Sequence, residues 1–255
     1  MRRLLLALAF VAAAGPPALA ERLVVSLSNH RVQITSNFVG ENLVLFGTVE
    51  LDPGKTARPA YDLVVTVTGP RRNFRTRRKE RVLGIWVNAA AREFVGVPSY
   101  LAVLSNRPFA QIADADTLRR QQIGLDNFLL PQRIGPDIAD TVRDDPFRVA
   151  FVRLESEQGL YQEVTNGVTF LTPLVFRAAI PLPADVPTGT YSVDVKLFAG
   201  GALIAHTTTA LEVIKAGFEQ YVAEAAASNG LLYGIATTMI ALLIGWIASV
   251  VFRRD

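Results

Sequence analysis

The stretch LLYGIATTMIALLIGWIASVVF, from Leu231 to Phe252, decides how the rest of the chain is organised. It is 22 residues long and contains no charged residue. As an α-helix it would extend about 33 Å, which is enough to cross a hydrocarbon core of about 30 Å. The sequence therefore predicts a single transmembrane helix at residues 231–252.

The residues at the ends of this span predict its orientation. Arg253 and Arg254 follow it directly, and Lys and Arg are enriched on the cytoplasmic side of membrane helices. Tyr233 and Trp246 lie toward its two ends, where aromatic rings favour the headgroup level. We therefore expect residues 253–255 to form a cytoplasmic tail. The body of the protein would then lie on the periplasmic side of a bacterial inner membrane.

Small residues recur along one side of the predicted span. Their spacing of three and four residues places them on one helical face, and they are Gly230, Gly234, Thr238, Ala241 and Gly245. A face of small side chains lets membrane helices approach closely. The stripe is therefore a candidate helix-packing face, for a self-dimer or for another transmembrane protein. The alternative is that such residues are simply common in membrane helices.

The N-terminus carries a second targeting signal. Arg2 and Arg3 precede an apolar segment, residues 4–14, that is too short to span a membrane. The sequence ALA at 18–20 has the small-x-small pattern of a cleavage site. We interpret residues 1–20 as a signal peptide that is removed on export, with an uncleaved anchor as the alternative.

Composition limits what the exported body, residues 21–215, can be. Its length is ample for a hydrophobic core. The chain has no cysteine, which excludes disulfides, thiolate metal ligands and a cysteine nucleophile. The net charge of +3 is small and, together with export, argues against nucleic acid as a partner.

Short strands separated by turns predict a mainly β fold. The segments 43–49 and 62–68 are rich in β-branched residues, and turn residues follow them at Asp52–Lys55 and at Gly69–Pro70. Tyr191–Leu197 alternates apolar and polar side chains, which indicates a strand with one buried face.

The C-terminal strands favour a particular architecture. The pattern Pro-x-Gly-x-Tyr at 187–191, a hairpin and a long final strand resemble the closing pair of an immunoglobulin-like sandwich. We therefore predict an immunoglobulin-like β-sandwich with a helical insertion at about residues 99–159. Between the sandwich and the span, residues 216–230 would form a juxtamembrane helix. We prefer an outward extension of the anchor over a helix lying on the membrane, because its polar face is acidic.

Cap residues locate the helices of the insertion. Asp114 or Asp116 is a plausible N-cap for a helix over residues 112–123. Asp145 can cap a second helix in which Pro146 takes the first position, and Gly159 would end that helix.

No catalytic, cofactor or metal motif is present in the sequence. His30 and His206 each lack a metal-ligand companion at helical or strand spacing. The acidic residues at 137–145 do not follow a calcium-loop pattern, and there is no nucleophile elbow or phosphate-binding glycine loop. We therefore expect no enzymatic activity and no cofactor. The alternatives are a periplasmic hydrolase with an unidentified carboxylate site and a structural envelope protein.

One unusual feature is a cluster of cations within eleven residues. It consists of Arg71, Arg72, Arg75, Arg77, Arg78, Lys79 and Arg81. In a strand, Arg75, Arg77, Lys79 and Arg81 would project from one face. One interpretation is a solvated edge strand whose charge prevents aggregation. The other is a contact for anionic headgroups, an acidic partner or a small anion on its way to a transporter.

Several short motifs in this order are similar to those of a known family. They are the basic strand, GIWVN at 84–88, VPSY at 97–100, GVTF at 167–170 and the terminal GW at 245–246 with FRR at 252–254. The chain resembles the alphaproteobacterial putative transmembrane protein family over nearly its whole length. The resemblance implies no catalytic residues. Proteins of this family are associated with neighbours that resemble sulfite or sulfonate exporters, so the resemblance implies an accessory role at an inner-membrane anion transporter.

Overall fold

The computed structural model of the protein describes residues 21–35, 37–51, 60–134, 136–217, 222 and 226–251. Four predictions fall wholly or partly outside these residues. They concern the signal peptide at 1–20, the turn at Asp52–Lys55, the juxtamembrane helix at 216–230 and the tail at 253–255.

A six-stranded sheet forms the larger layer of the body. Its order is β10-β7-β4-β13-β14-β2. The strands are β2 (Arg31–Ile34), β4 (Asp62–Thr68), β7 (Leu101–Ser105), β10 (Tyr161–Thr165), β13 (Gly189–Ala199) and β14 (Ala202–Lys215). Tyr191, Val193, Val195 and Leu197 of β13 are fully buried, so the predicted alternation is confirmed.

A four-stranded antiparallel sheet forms the second layer. Its order is β1-β3-β12-β11, with β1 (Arg22–Leu27), β3 (Glu41–Glu50), β11 (Val168–Phe170) and β12 (Val175–Leu182). Leu45 of β3 and Ile180 of β12 belong to one buried cluster with Val65 and Val195 of the larger sheet. The apolar faces of the two sheets therefore share a single core, and the predicted mainly β fold is confirmed.

The immunoglobulin-like assignment remains a prediction, which two features support. The strand order places β1, β3, β12 and β11 in one sheet and β4, β13 and β14 in the other, as in A-B-E-D and C-F-G sandwiches. The Tyr191 hydroxyl donates a 2.5 Å hydrogen bond to the carbonyl of Pro187, which resembles a tyrosine corner.

The predicted helical insertion at residues 99–159 is only partly helical. It contains β7 and the helices α1 (Phe109–Ile112), α2 (Ala115–Arg120) and α3 (Pro146–Glu157), and also strands β8 (Pro131–Ile134) and β9 (Asp137–Asp140). The assignment of Leu101–Ser105 to the insertion was wrong, because this segment lies inside the larger sheet between β4 and β10. The strand is buried on both faces, so its sequence shows no alternation.

A third sheet lies outside the sandwich. Its order is β5-β6-β8-β9, with β5 (Arg71–Val82) and β6 (Ile85–Pro98) as its long members. β6 runs unbroken for 14 residues. Asn88–Arg92 has three alanines at its centre and little intrinsic strand preference, and its strand conformation comes from pairing with β5.

Asp114 and Asp145 cap helices as predicted, but the helix predicted over residues 112–123 spans only Ala115–Arg120, and Ile112 belongs to α1. The Asp114 side chain accepts a hydrogen bond from Thr117 N at the start of α2. Asp145 accepts from the backbone N–H groups of Phe147 and Arg148 at the start of α3. Each carboxylate satisfies donors that the first helical turn leaves without an intrahelical partner.

The apolar C-terminal run forms α4 (Gly230–Val251), a continuous helix of 22 residues. Residues Gly230–Ser249 are long and apolar enough to cross a membrane, and none is buried against the body. In the sequence, residues 216–229 separate this helix from β14. The predicted single C-terminal span is confirmed as a helix of the required length and composition.

Candidate functional site

The basic run lies on one arm of a long antiparallel hairpin formed by β5 and β6. We call residues 71–98 the basic hairpin. It carries eight basic and two acidic side chains, so its net charge exceeds the +3 of the whole chain. All seven predicted contact residues lie on β5: Arg71, Arg72, Arg75, Arg77, Arg78, Lys79 and Arg81.

The two faces of β5 differ in exposure, as the alternation predicts. Phe74, Thr76 and Glu80 are half-buried. The opposite face is exposed along its length and carries Arg75, Arg77, Lys79 and Arg81. These four cations therefore form one solvent-facing row, with about 6.6 Å between successive members.

Helix α3 supports the base of the basic hairpin through an aromatic cluster. The Phe151 ring lies 5.4 Å from that of Phe74 and 4.7 Å from that of Phe94, centroid to centroid. It also meets Tyr161 of β10 edge-on at 5.7 Å. The Tyr161 hydroxyl donates a 2.6 Å hydrogen bond to the carbonyl of Pro98 at the end of β6. The base of the hairpin is thus part of the core.

Farther out, the basic hairpin makes few contacts with the body. Arg78 and Arg92 lie over the Phe147 ring at 6.0 and 5.5 Å from its centroid, within cation–π range. Arg78 also forms a 2.5 Å ion pair with Glu80. Among the described residues, Arg75, Arg77 and Lys79 form no ion pair. The exposed row therefore keeps its charge available to a ligand.

The tip of the basic hairpin is apolar, which the sequence interpretation missed. Val82 pairs with Ile85 across the two-residue turn Leu83-Gly84. Leu83 is fully exposed, and Trp86 and Ile85 are 69% and 66% exposed. Large apolar residues on both sides of a two-residue turn, next to a basic run, are the signal that could have found it.

The turn itself is unfavourable for the residue that occupies it. Leu83 and Gly84 have φ angles of 49° and 87°, the left-handed pair that a two-residue hairpin needs. Asn or Gly usually fills the first position, whereas an ordinary L-residue there costs about 1–2 kcal/mol. Leu83 recovers none of this cost through burial, so packing within the chain does not explain it.

The basic hairpin leaves the sandwich at the end from which the membrane anchor also leaves. Thr68, the last residue of β4, pairs with Ser192 of β13, close to Gly189, which pairs with Val213 of β14. A Cβ atom added at Gly189 would lie 2.9 Å from Pro70, the residue that precedes β5. The start of β5 and the end of β14 are therefore neighbours at one end of the larger sheet.

Arg148 of α3 holds together the segment that connects α2 to the third sheet. It is 3% exposed, and its guanidinium donates to the carbonyls of Leu125, Asp126 and Phe128 at 2.7–3.2 Å. It also donates to the Thr141 hydroxyl at 3.1 Å. Burial lowers the pKa of this guanidinium, while the carboxylates of Asp140 and Asp126 oppose the shift. Four acceptors thus depend on one side chain.

Glu155, two turns farther along α3, is buried with an incomplete set of partners. It is 7% exposed, and its Oε2 atom has no hydrogen-bond partner among the described residues. Burial raises the pKa of this carboxyl. Between the ordinary glutamate pKa and this raised value, the folded state binds more protons than the unfolded state, so stability falls as pH rises.

Glu155→Gln is therefore expected to raise the free energy of unfolding at neutral pH by about 1 kcal/mol, because the buried amide carries no charge. The gain should shrink toward zero below the ordinary glutamate pKa, where both side chains are neutral. Urea unfolding across the pH range measures it, with the exposed Glu157→Gln as control. A loss of stability in Glu155→Gln at neutral pH would contradict this assignment.

The two histidines do not come together in the structure. His206 lies on β14 opposite Lys196, whereas the carbonyl of His30 accepts a hydrogen bond from Glu212 N near the other end of that strand. Among the described residues, no group of three or more His, Asp and Glu side chains is placed to hold a metal ion.

A polar groove lies on the outer face of the larger sheet. It has a volume of about 470 Å³ and is lined by polar side chains that include Thr66, Asp194 and His206. Lys196 in this groove forms a 3.0 Å ion pair with Asp194 and donates to the carbonyl of Gln121 at 2.8 Å. The charged groups of the groove are thus engaged with each other and with the backbone.

The small-residue stripe lies along one exposed side of α4. Its members fall within an arc of about 80°, given 100° per residue. A Cβ atom added at Gly230, Gly234 or Gly245 would meet no other atom within 4 Å. The Thr238 hydroxyl donates to the carbonyl of Gly234 at 2.8 Å, so it is satisfied within the helix. Its role in helix packing remains a prediction.

A comparison with protein families gives one match. A family model described as "Putative transmembrane protein (Alph_Pro_TM)" matches residues 22–254. The match covers the sandwich, the basic hairpin and the anchor helix, and it confirms the resemblance seen in the sequence. A search of the curated proteins found no matching relative.

Proposed function

The chain belongs to the transmembrane protein family Alph_Pro_TM, and on that basis we propose that it is a membrane-anchored accessory or binding protein without enzymatic activity. In this proposal α4 crosses the inner membrane once and its C-terminus is cytoplasmic. Export removes residues 1–20 and places the sandwich in the periplasm. The sandwich then serves as a rigid support for the basic hairpin.

One observation carries this proposal: the basic hairpin protrudes, with an exposed row of cations and an exposed apolar tip. Exposed cations such as Arg75 and Arg77 attract anionic targets over about 8–10 Å at physiological salt. Exposed apolar clusters mark contact surfaces in soluble domains. Their combination on one element is typical of a binding surface. The charged groups of the polar groove, in contrast, mainly pair with each other or with the backbone.

The anchor supplies a second contact in the same proposal. The stripe that contains Gly234 and Gly245 would let α4 pack closely against another membrane helix. A partner reached through both α4 and the basic hairpin would be an integral membrane protein. The resemblance favours an inner-membrane transporter of sulfite-like anions, and a cationic hairpin would raise the local concentration of such anions.

Crosslinking followed by affinity purification from membranes tests the proposal. We expect the full-length protein to retain a membrane partner. Arg75→Gln, Arg77→Gln and Arg81→Gln together should reduce its recovery by about tenfold or more, because three interfacial charges are lost. The matched control replaces three exposed arginines elsewhere on the body, Arg22, Arg120 and Arg177, by Gln.

Salt supplies an independent check on the same preparation. Exposed charges are screened, so added salt should reproduce the loss seen in the hairpin variant. Equal recovery in wild type, hairpin variant and control would contradict the proposal. It would leave the basic hairpin as a solvated edge.

A further inference from the structure

We propose that the tip of the basic hairpin inserts into an anionic lipid surface, the leaflet beside the protein's own anchor. This inference rests on the proposed function in one respect, that the basic hairpin is the contact surface. It adds the chemistry of the target: phospholipid headgroups around an apolar tip that reaches the acyl boundary.

The tip has the composition of a membrane-inserting element. Val82, Leu83, Ile85 and Trp86 are all large, apolar and exposed. Tryptophan favours the membrane–water interface, where its ring can be buried while its N–H stays hydrated. Leu83 occupies a turn position that disfavours it, and its side chain is fully exposed and packs against none of the described residues. A lipid contact would explain why an exposed leucine occupies this turn, which packing within the protein does not.

Cations lie behind this tip at headgroup depth. Arg81 is the cross-strand neighbour of Trp86, and Lys79 is two residues farther from the turn. A strand rises about 3.3 Å per residue, so both lie within about 15 Å of the turn. When the tip enters the acyl boundary, these side chains reach the anionic headgroups, which attract basic residues.

The position of the basic hairpin in the fold brings it to the membrane. β5 begins beside the end of β14, from which the chain continues to α4. The 14 residues between Lys215 and Gly230 can span at most about 50 Å. The base of the hairpin is therefore tethered close to a bilayer, and tethering makes even a weak surface contact persistent.

Charge favours lipid over an acidic protein as the target. The outer hairpin carries the cations of β5 and Arg92, and its acidic residue Glu80 is paired with Arg78. The apolar residues are grouped at the apex, ahead of the cations rather than among them. If the hairpin enters an anionic bilayer tip first, this order places the apolar residues at the acyl boundary and the cations at the headgroups. Binding to an acidic protein alone is an outcome that the experiment separates.

Tryptophan fluorescence of the full-length chain tests the insertion. The protein has two tryptophans, so Trp246→Phe leaves Trp86 as the reporter at the tip. We expect Trp86 emission to shift to shorter wavelength in phosphatidylcholine vesicles that contain phosphatidylglycerol. Brominated acyl chains should quench it there. Without phosphatidylglycerol, or in high salt, the shift and the quenching should be lost.

Two variants make the result specific to the tip. Leu83→Asn in the Trp246→Phe background suits the turn better and so keeps the hairpin folded, but it removes the apolar apex. Quenching of Trp86 should fall several-fold in it. The converse variant, Trp86→Phe, leaves Trp246 in the span. Brominated acyl chains should quench the Trp246 emission in vesicles both with and without phosphatidylglycerol.

Trp86 emission typical of water, unaffected by brominated lipid while Trp246 is quenched, would overturn the insertion. If the partner is still recovered in a manner that depends on Arg75, Arg77 and Arg81, the target is an acidic protein and the proposed function stands. If that dependence is also absent, both proposals fail.

Discussion

Replacing Arg148 by Met is expected to lower the free energy of unfolding by about 3–5 kcal/mol, a large fraction of the stability of a domain of this size. Methionine fills similar volume but donates no hydrogen bond. The carbonyls of Leu125, Asp126 and Phe128 would then lose this donor, and the bond to Phe128 is buried. Each buried acceptor left unsatisfied costs about 1–3 kcal/mol.

The effect should extend beyond stability, because the same helix supports the basic hairpin. Phe147 and Phe151 flank Arg148 on α3 and contact the hairpin at its outer part and its base. A loosened α3 should therefore increase proteolytic cleavage within residues 71–98. Urea unfolding of the full chain in detergent micelles measures the stability, and limited proteolysis measures the hairpin.

Arg153→Met on the same helix is the matched control. Arg153 is highly exposed and faces Glu157 at 3.9 Å, so its loss should change stability by less than about 0.5 kcal/mol. Equal effects of the two substitutions would show that Arg148 does not organise the segment between α2 and β8.

The features predictable from the sequence are those that local chemistry fixes. The apolar run at 231–252 requires a helix because each backbone group in a bilayer must be satisfied within its own segment. Asp114 and Asp145 mark helix starts because a carboxylate can bond the first free N–H groups. The alternation of β13 indicates its buried face directly. In each case the deciding interactions lie within a few residues.

The features that the sequence did not reveal depend on distant contacts. Leu101–Ser105 is covered on both faces by parts of the chain far away in sequence, so no period of two is visible. Asn88–Arg92 has little strand preference and is extended because β5 pairs with it. Arg148 is charged, and charge on a helix usually indicates a solvated face. The three carbonyls that accept hydrogen bonds from its guanidinium come together only in the folded chain.

The candidate site was half predictable for the same reason. The cations of β5 and the face they share follow from spacing alone. The apolar tip could not be predicted in this way, because Leu83-Gly84 lacks the Asn-Gly or Asp-Gly signal of a two-residue turn. The shared exit of the basic hairpin and the anchor depends on the pairing of β4 with β13 and of β13 with β14. Sheet order is not encoded in any short segment.

We propose that one C-terminal helix holds the sandwich and its basic hairpin on the periplasmic side of the inner membrane. The chain has no cysteine, so single-cysteine variants report topology without background. Val39 is 89% exposed on the sandwich, and Asp255 is the last residue of the sequence. Val39→Cys and Asp255→Cys thus place one label on each predicted side.

A membrane-impermeant maleimide applied to intact spheroplasts is the most direct measurement. Val39→Cys should be labelled fully before lysis, and Asp255→Cys only after it, because positive charge next to a span favours the cytoplasmic side. Labelling of Asp255→Cys in intact spheroplasts, with Val39→Cys protected until lysis, would contradict the account. It would place the basic hairpin in the cytoplasm.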